Sequence, residues 1–169
     1  CSKTLIRFAT EKDAPNLLAA NKVNSEYSSI ADFVASIQHR NEFTLIAEQD
    51  GKMCGFATYY LMWFHPRTKP LGQRPQPARC LYLATLQTVR EATHGKELHP
   101  EDGSMSSLCV AEPRTGSLLS AAALHHAICC ACHVAFVDST DEALPFYKQV
   151  LGMVETLRYE GWRYQPLML

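Results

Sequence analysis

A surplus of charge of either sign is missing from this sequence. Sixteen lysines and arginines stand against 17 aspartates and glutamates, scattered along 169 residues for a formal net charge of -1. A protein that tracks nucleic acid or an anionic membrane surface needs a basic patch or stripe, and none is present. Long apolar runs are missing too. No stretch reaches the roughly 20 residues required to cross a bilayer, and no basic start leads into an apolar signal segment. No internal repeat or low-complexity tract stands out. These absences point to a cytoplasmic protein that partners neither nucleic acid nor membrane, and the start at Cys1 suggests that an initiator or leader is missing.

What is present suits one compact domain spanning 1–169, with 47% hydrophobic and 20% charged residues, enough for a core of its own. Seven cysteines are an odd number, and a chain of this size needs no disulfide staples, so reduced and mostly buried thiols are expected. Cys129, Cys132 and His133 spell C-x-x-C-H, the pattern that attaches c-type haem. Here it joins an apolar helix to an apolar strand, and no second ligand pair sits at a zinc-binding spacing elsewhere, so no metal site is expected.

Leu5 to Ala9 alternates as a short strand, and Thr10, three residues before Asp13, is placed to cap a helix running to about Val23. A second amphipathic helix is expected around Ala31 to His39. Phe43 to Glu48 and Lys52 to Phe64 are rich in aromatic and aliphatic residues, and Gln49-Asp50-Gly51 between them signals an antiparallel hairpin. Four prolines make His65 to Arg79 a long loop. Strands are expected at Cys80 to Val89, Met105 to Ala111 and His133 to Val137, with a polar connection from Glu91 to Ser104. An apolar helix spans Ser117 to about Cys130. Asp138 to Asp141 reads as the cap of a helix from Glu142 to Val150 that ends at Gly152, with one or two strands after it.

Two units carry chemistry. In Ser107-Leu-Cys-Val-Ala-Glu-Pro-Arg-Thr-Gly116-Ser-Leu-Leu, a strand meets a glycine turn and a helix start, whose free N–H groups and dipole attract phosphate. Arg114 adds a charge-assisted donor. The same pattern also describes an ordinary strand-to-helix turn. In Asp141 to Met153, Tyr147 is placed on a helix as either a core residue or an exposed phenol able to protonate a leaving thiolate.

The order of elements resembles the GNAT superfamily of N-acetyltransferases across essentially the whole chain. Asp141 to Met153 resembles its N-x-x-A-x-x-F-Y-x-x-x-G-F segment, and Cys54-Gly55-Phe56-Ala57 its central hairpin strand. Gly55 to Tyr60, Leu81-Tyr-Leu83 and Glu160-Gly-Trp-Arg163 are most similar to the diamine (spermidine/spermine) and thialysine N-acetyltransferases. The resemblance implies an α/β (α+β) fold with a mixed, mainly antiparallel sheet flanked by helices, acetyl-CoA as co-substrate, a small-molecule amine as acceptor and a homodimer. It implies Tyr147 as general acid, and contacts to the cofactor from Val110, Arg114, Thr115, Gly116, Ser117 and Leu118. Gly116 falls on the last glycine of the Q/R-x-x-G-x-G/A pyrophosphate loop.

The chain departs from that pattern in three places. The loop is shortened to Arg114-Thr-Gly116 and lacks its first glycine, and Ala84-Thr85 replace the Glu-Asp pair of polyamine acetyltransferases. The polar connection leaves open whether Leu81 to Val89 or Met105 to Ala111 is the strand that splays to admit the cofactor. Glu112 and Glu91 are the available bases for an ammonium group, and either could equally be a solvated surface acid. A catalytically weak domain that binds an acyl-CoA or a protein partner is the alternative function.

Overall fold

The computed structural model describes residues 3–22, 24–64, 78–90, 108–155 and 164–169. Its elements are β1 (Leu5–Phe8), a 3-10 turn (Glu11–Asp13), α1 (Ala14–Ala20), α2 (Ile30–Gln38), β2 (Glu42–Gln49), β3 (Lys52–Phe64) and β4 (Ala78–Thr88). They are followed by α3 (Thr115–Cys129), β5 (Val134–Thr140), a π-type helical turn (Phe146–Val150), β6 (Val154–Glu155) and β7 (Tyr164–Met168). The strands form a seven-stranded, mostly antiparallel sheet in the order β1-β2-β3-β4-β5-β7-β6. This is the mixed α/β class that the sequence implies.

The described residues gather into two compact units, 1–59 with 85–123 and 60–84 with 124–169. In the first, Thr10 and Asp13 form the expected capping box, the Thr10 N–H and hydroxyl donating to the Asp13 carboxylate at 2.7 and 2.9 Å. Arg7 donates to the same carboxylate at 2.8 Å and to Glu48 at 2.6 Å, which ties β1 to the helix start and to β2. Those bonds hold the Asp13 carboxyl below the ordinary value against the opposing effect of burial. The β2–β3 hairpin turns at Asp50 (φ 50°) and Gly51 (φ 75°), the two left-handed residues of a type I′ turn. The core beneath α1 and α2 is aromatic: Tyr27 stacks on Phe33 at 4.9 Å, and Phe33 meets Phe56 edge-on at 6.1 Å. Glu42 is buried at the head of β2 and accepts hydrogen bonds from the Tyr27 and Ser36 hydroxyls, so its desolvated carboxylate is compensated.

In the second unit β4 and β5 run parallel, Cys80 opposite Val134 through Leu83 opposite Val137. The ladder stops there, although both strands continue. On its other edge β5 pairs antiparallel with β7, from Phe136 opposite Met168 to Thr140 opposite Tyr164.

The structure corrects three expectations. Helix α1 stops at Ala20, where Asn21 turns extended, and Val23 lies outside the described residues. Asp138 to Thr140 extend β5 and do not cap a helix, because β7 offers their backbone a ladder. The helical turn before Gly152 is correspondingly short. Met105 to Ala111 is not a strand over its described part: Leu108 forms only a single parallel bridge with Met53. The strand beside β5 is therefore β4. The proline-rich stretch 65–77, the polar connection 91–107 and residues 156–163 lie outside the described residues.

Candidate active site

The first unit contains the strand-to-helix turn singled out in the sequence. Val89, leaving β4, donates its N–H to the Cys54 carbonyl at 2.8 Å. The returning chain takes up the neighbouring places, Cys109 N–H bonding the Met53 carbonyl and Ala111 N–H the Val89 carbonyl, each at 2.9 Å. Two anchored N–H groups thus fix the approach to α3. Glu112 then presents its carbonyl to the Thr115 N–H at 3.2 Å and to the Thr115 hydroxyl at 2.8 Å, and Thr115 is buried. The first helical bond runs from the Leu118 N–H to the Arg114 carbonyl at 2.9 Å. Helix geometry accordingly leaves the N–H groups of Gly116 and Ser117 without an intrahelical partner, and Gly116 adds no side chain to shield them. Arg114 and Glu112 are exposed, as are Val110 and Leu118.

Arg114 has a φ of 80°, in the left-handed region that favours glycine. The turn thus holds a non-glycine residue in a glycine-type conformation two residues before Gly116. Arg114→Gly is expected to raise stability by about 1 kcal/mol, the cost of holding a side chain in that region less the entropy glycine returns to the unfolded chain. Urea unfolding of the two proteins measures this as a higher midpoint at unchanged slope.

A polar network that motif reading missed lies on β4 in the same unit. Asn24 donates to the Thr85 hydroxyl at 2.9 Å, Gln87 donates to the Asn21 side chain at 2.9 Å, and the Lys22 N–H donates to Gln87 at 2.8 Å. Asn21 in turn donates to the carbonyls of Asn24 and Tyr27. The segment after α1 is thereby fastened to β4 by neutral groups. The signal in the sequence was Thr85-x-Gln87, two polar residues at the spacing that puts them on one face of a strand. Glu91, the other candidate base, lies outside the described residues.

Tyr147 belongs to the second unit. It is buried, 6% exposed, in the π-type turn, where its carbonyl accepts the Met153 N–H at 3.0 Å and its ring meets Phe146 edge-on at 5.3 Å. Of the two readings of the sequence, core residue or exposed phenol, the burial matches the first: it desolvates the hydroxyl and pushes its pKa up to about 12. The C-x-x-C-H residues are dispersed in exposure, Cys129 and His133 on the surface and Cys132 buried, and no group of three or more potential metal ligands occurs among the described residues.

No family model matches the sequence, and no curated protein sequence matches it. Solved structures do match in fold. An aminoglycoside N-acetyltransferase AAC(6')-Iy in complex with CoA superposes with a TM-score of 0.66 at 16% identity, over 96% of this chain and 95% of its own. The PaiA N-acetyltransferase of Thermoplasma acidophilum in complex with coenzyme A gives 0.66 at 13% identity, over 98% of both chains. A variant of the toxin AtaT, bound to the C-terminus of the antitoxin AtaR and to acetyl-CoA, gives 0.62 at 15% identity, over 99% of this chain and 92% of its own. The fold is GNAT-like.

Proposed function

We propose that this chain is an N-acetyltransferase that moves an acetyl group from acetyl-CoA to a primary amine of a small molecule. The observation that carries the reading is the start of α3, where Gly116 and Ser117 present N–H groups to the helix-dipole end, with the Arg114 cation on the turn before them. That donor set fits a diphosphate. Acetyl-CoA supplies an acetyl group activated as a thioester, with a thiolate as leaving group.

The chain's own residues supply the rest. The N–H groups of Gly116 and Ser117 bind pyrophosphate oxygens, flanked by Val110, Thr115 and Leu118. A strand N–H group polarises the thioester carbonyl. Glu112 takes the ammonium proton of the acceptor through water. Tyr147 holds a proton for the departing sulfur, and its raised pKa keeps that proton in place at neutral pH. The same reading takes the chain to be a cytoplasmic homodimer. Among the described residues no helix is long and apolar enough to cross a membrane.

The acceptor follows from β4. A polyamine carries several charges, and a site that dehydrates them needs carboxylates in place. Ala84 and Thr85 stand where the polyamine enzymes carry Glu-Asp, and the Thr85 hydroxyl is engaged by Asn24. Spermidine is therefore expected to be a poor substrate, with kcat/KM below about 10⁴ M⁻¹s⁻¹, the lower end of ordinary enzyme efficiency. Calorimetry with acetyl-CoA, followed by thiol release with a panel of amines, tests both statements. One observation favours a second reading, a domain that binds an acyl-CoA or a protein partner without turnover: the shortened Arg114-Thr-Gly116 loop lacks a first glycine, and Arg114 holds a φ of 80° there. Acetyl-CoA binding with no thiol release from any amine would select it.

A further inference from the structure

Next to the Met53–Leu108 bridge, one step along the same parallel pair, stand Cys54 and Cys109. The Cys109 N–H donates to the Met53 carbonyl at 2.9 Å, which holds the two cysteines side by side across that bridge. Neighbouring strands lie about 4.8 Å apart, within the Cα separation of about 4.4–6.8 Å that a disulfide bridges. Their thiols hydrogen-bond each other, and both are free. The two positions differ in access. Cys54 is fully buried, its thiol donating to the Ala47 carbonyl at 3.3 Å and contacting the Thr115 side chain at the start of α3. Cys109 is partly exposed beside the hairpin turn, with its sulfur 3.5 Å from the Lys52 carbonyl oxygen.

We propose that Cys54 and Cys109 are a modification site that closes reversibly to a disulfide by exchange with a small-molecule disulfide such as oxidised glutathione. The accessible Cys109 thiolate attacks one glutathione sulfur, the glutathione S–S bond breaks, and one glutathione leaves as thiolate. Cys54 then attacks the Cys109 sulfur of the mixed disulfide, its proton passing to solvent, and the second glutathione leaves as thiolate. Two cysteine thiols are oxidised, and one glutathione disulfide is reduced to two thiols. The bond ties the segment leading into α3 to β3 and draws the Cys54 sulfur away from Thr115. Burial raises both thiols, Cys54 to about 11, while Lys52 lowers Cys109 and Asp50 raises it. The exchange therefore quickens as pH rises, because the thiolate is the nucleophile.

The test uses the full chain, reduced, then incubated with oxidised glutathione, with free thiols blocked and peptides mapped by mass spectrometry without reduction. A peptide pair linked through Cys54 and Cys109 is expected as the main cross-link, reversed by dithiothreitol, with a Tm raised by roughly 5 °C or more through closure of a long loop. Cys109→Ser should abolish the link. Cys54→Ala, which keeps a small apolar group in the buried place, should halt Cys109 at the glutathione mixed disulfide. A wild-type chain that stops at that mixed disulfide, or that links Cys130 to Cys132 in place of this pair, overturns the proposal. The mapping reads the bond itself and is independent of whether the chain transfers acetyl groups.

Discussion

Tyr147→Phe is expected to lower kcat by about two orders of magnitude while leaving acetyl-CoA affinity within about a factor of two. The phenylalanine keeps the ring that packs edge-on to Phe146 and removes only the hydroxyl. A positioned general acid contributes about 10²–10⁴ in rate, and its absence is felt as the leaving group departs, not as the substrate binds. The pH profile adds an independent check. With a pKa of about 12, Tyr147 stays protonated throughout pH 6–10, so wild type should show no falling limb from this group in that range. Stability gives the sign from the other side. An unfolded tyrosine ionises near pH 10, so between pH 10 and 12 the unfolded chain has lost a proton that the folded chain still binds, and stability falls with rising pH. The loss is on the order of 2 kcal/mol, and the phenylalanine variant should be spared it. Steady-state kinetics across pH, with alkaline unfolding of both proteins, measures each part. An unchanged kcat would return Tyr147 to the role of a core residue.

What the sequence made legible was local. Strand β3 starts and ends where its run of aromatic and aliphatic residues does, and the hairpin before it is set by two left-handed residues at Asp50 and Gly51. The Thr10 and Asp13 capping box was readable because both partners lie within one turn. What was misread depended on distant partners. Asp138-Ser-Thr-Asp141 has the composition of a helix cap, yet β7, more than twenty residues on, pairs with Asp138 to Thr140 and keeps them extended. The stretch around Leu108 has strand composition, but among the described residues it finds one bridging partner.

The candidate site divides in the same way. The helix start at Thr115 to Leu118 could be read from one glycine and its neighbours, because the chemistry of a helix N-terminus is intrinsic to the backbone. The conformation of Arg114 was set by packing that no spacing rule encodes, whereas the burial of Tyr147 matches the core alternative that its helical position offered. The Asn21, Asn24, Thr85 and Gln87 network joins positions over sixty residues apart, so composition alone gave no reason to connect them.

Gly55→Ala should destabilise the chain by about 3 kcal/mol, the upper end for forcing a methyl group into a packed interior. A Cβ at this position would lie 2.8 Å from the Gln87 carbonyl oxygen, and 3.3 Å from both the Thr88 Cα and the Leu119 side chain. Two of these are backbone atoms of β4. They cannot move aside as a side chain would, since Gln87 also anchors the segment after α1 through Asn21 and the Lys22 N–H, and the next residues lead to the Val89 N–H bond with Cys54. Displacing the Gln87 backbone would loosen both, whereas Leu119 alone could rotate. Gly51→Ala is the informative control. A Cβ there meets nothing within 4 Å, and the only cost is the φ of 75°, about 1 kcal/mol. At roughly 2–4 °C per kcal/mol for a chain of this size, thermal unfolding should show Gly55→Ala falling by about 10 °C and Gly51→Ala by a few degrees. Equal losses in the two variants would mean that β3 and β4 can separate at Gly55 without penalty, and that the close approach beside the start of α3 is not what holds them.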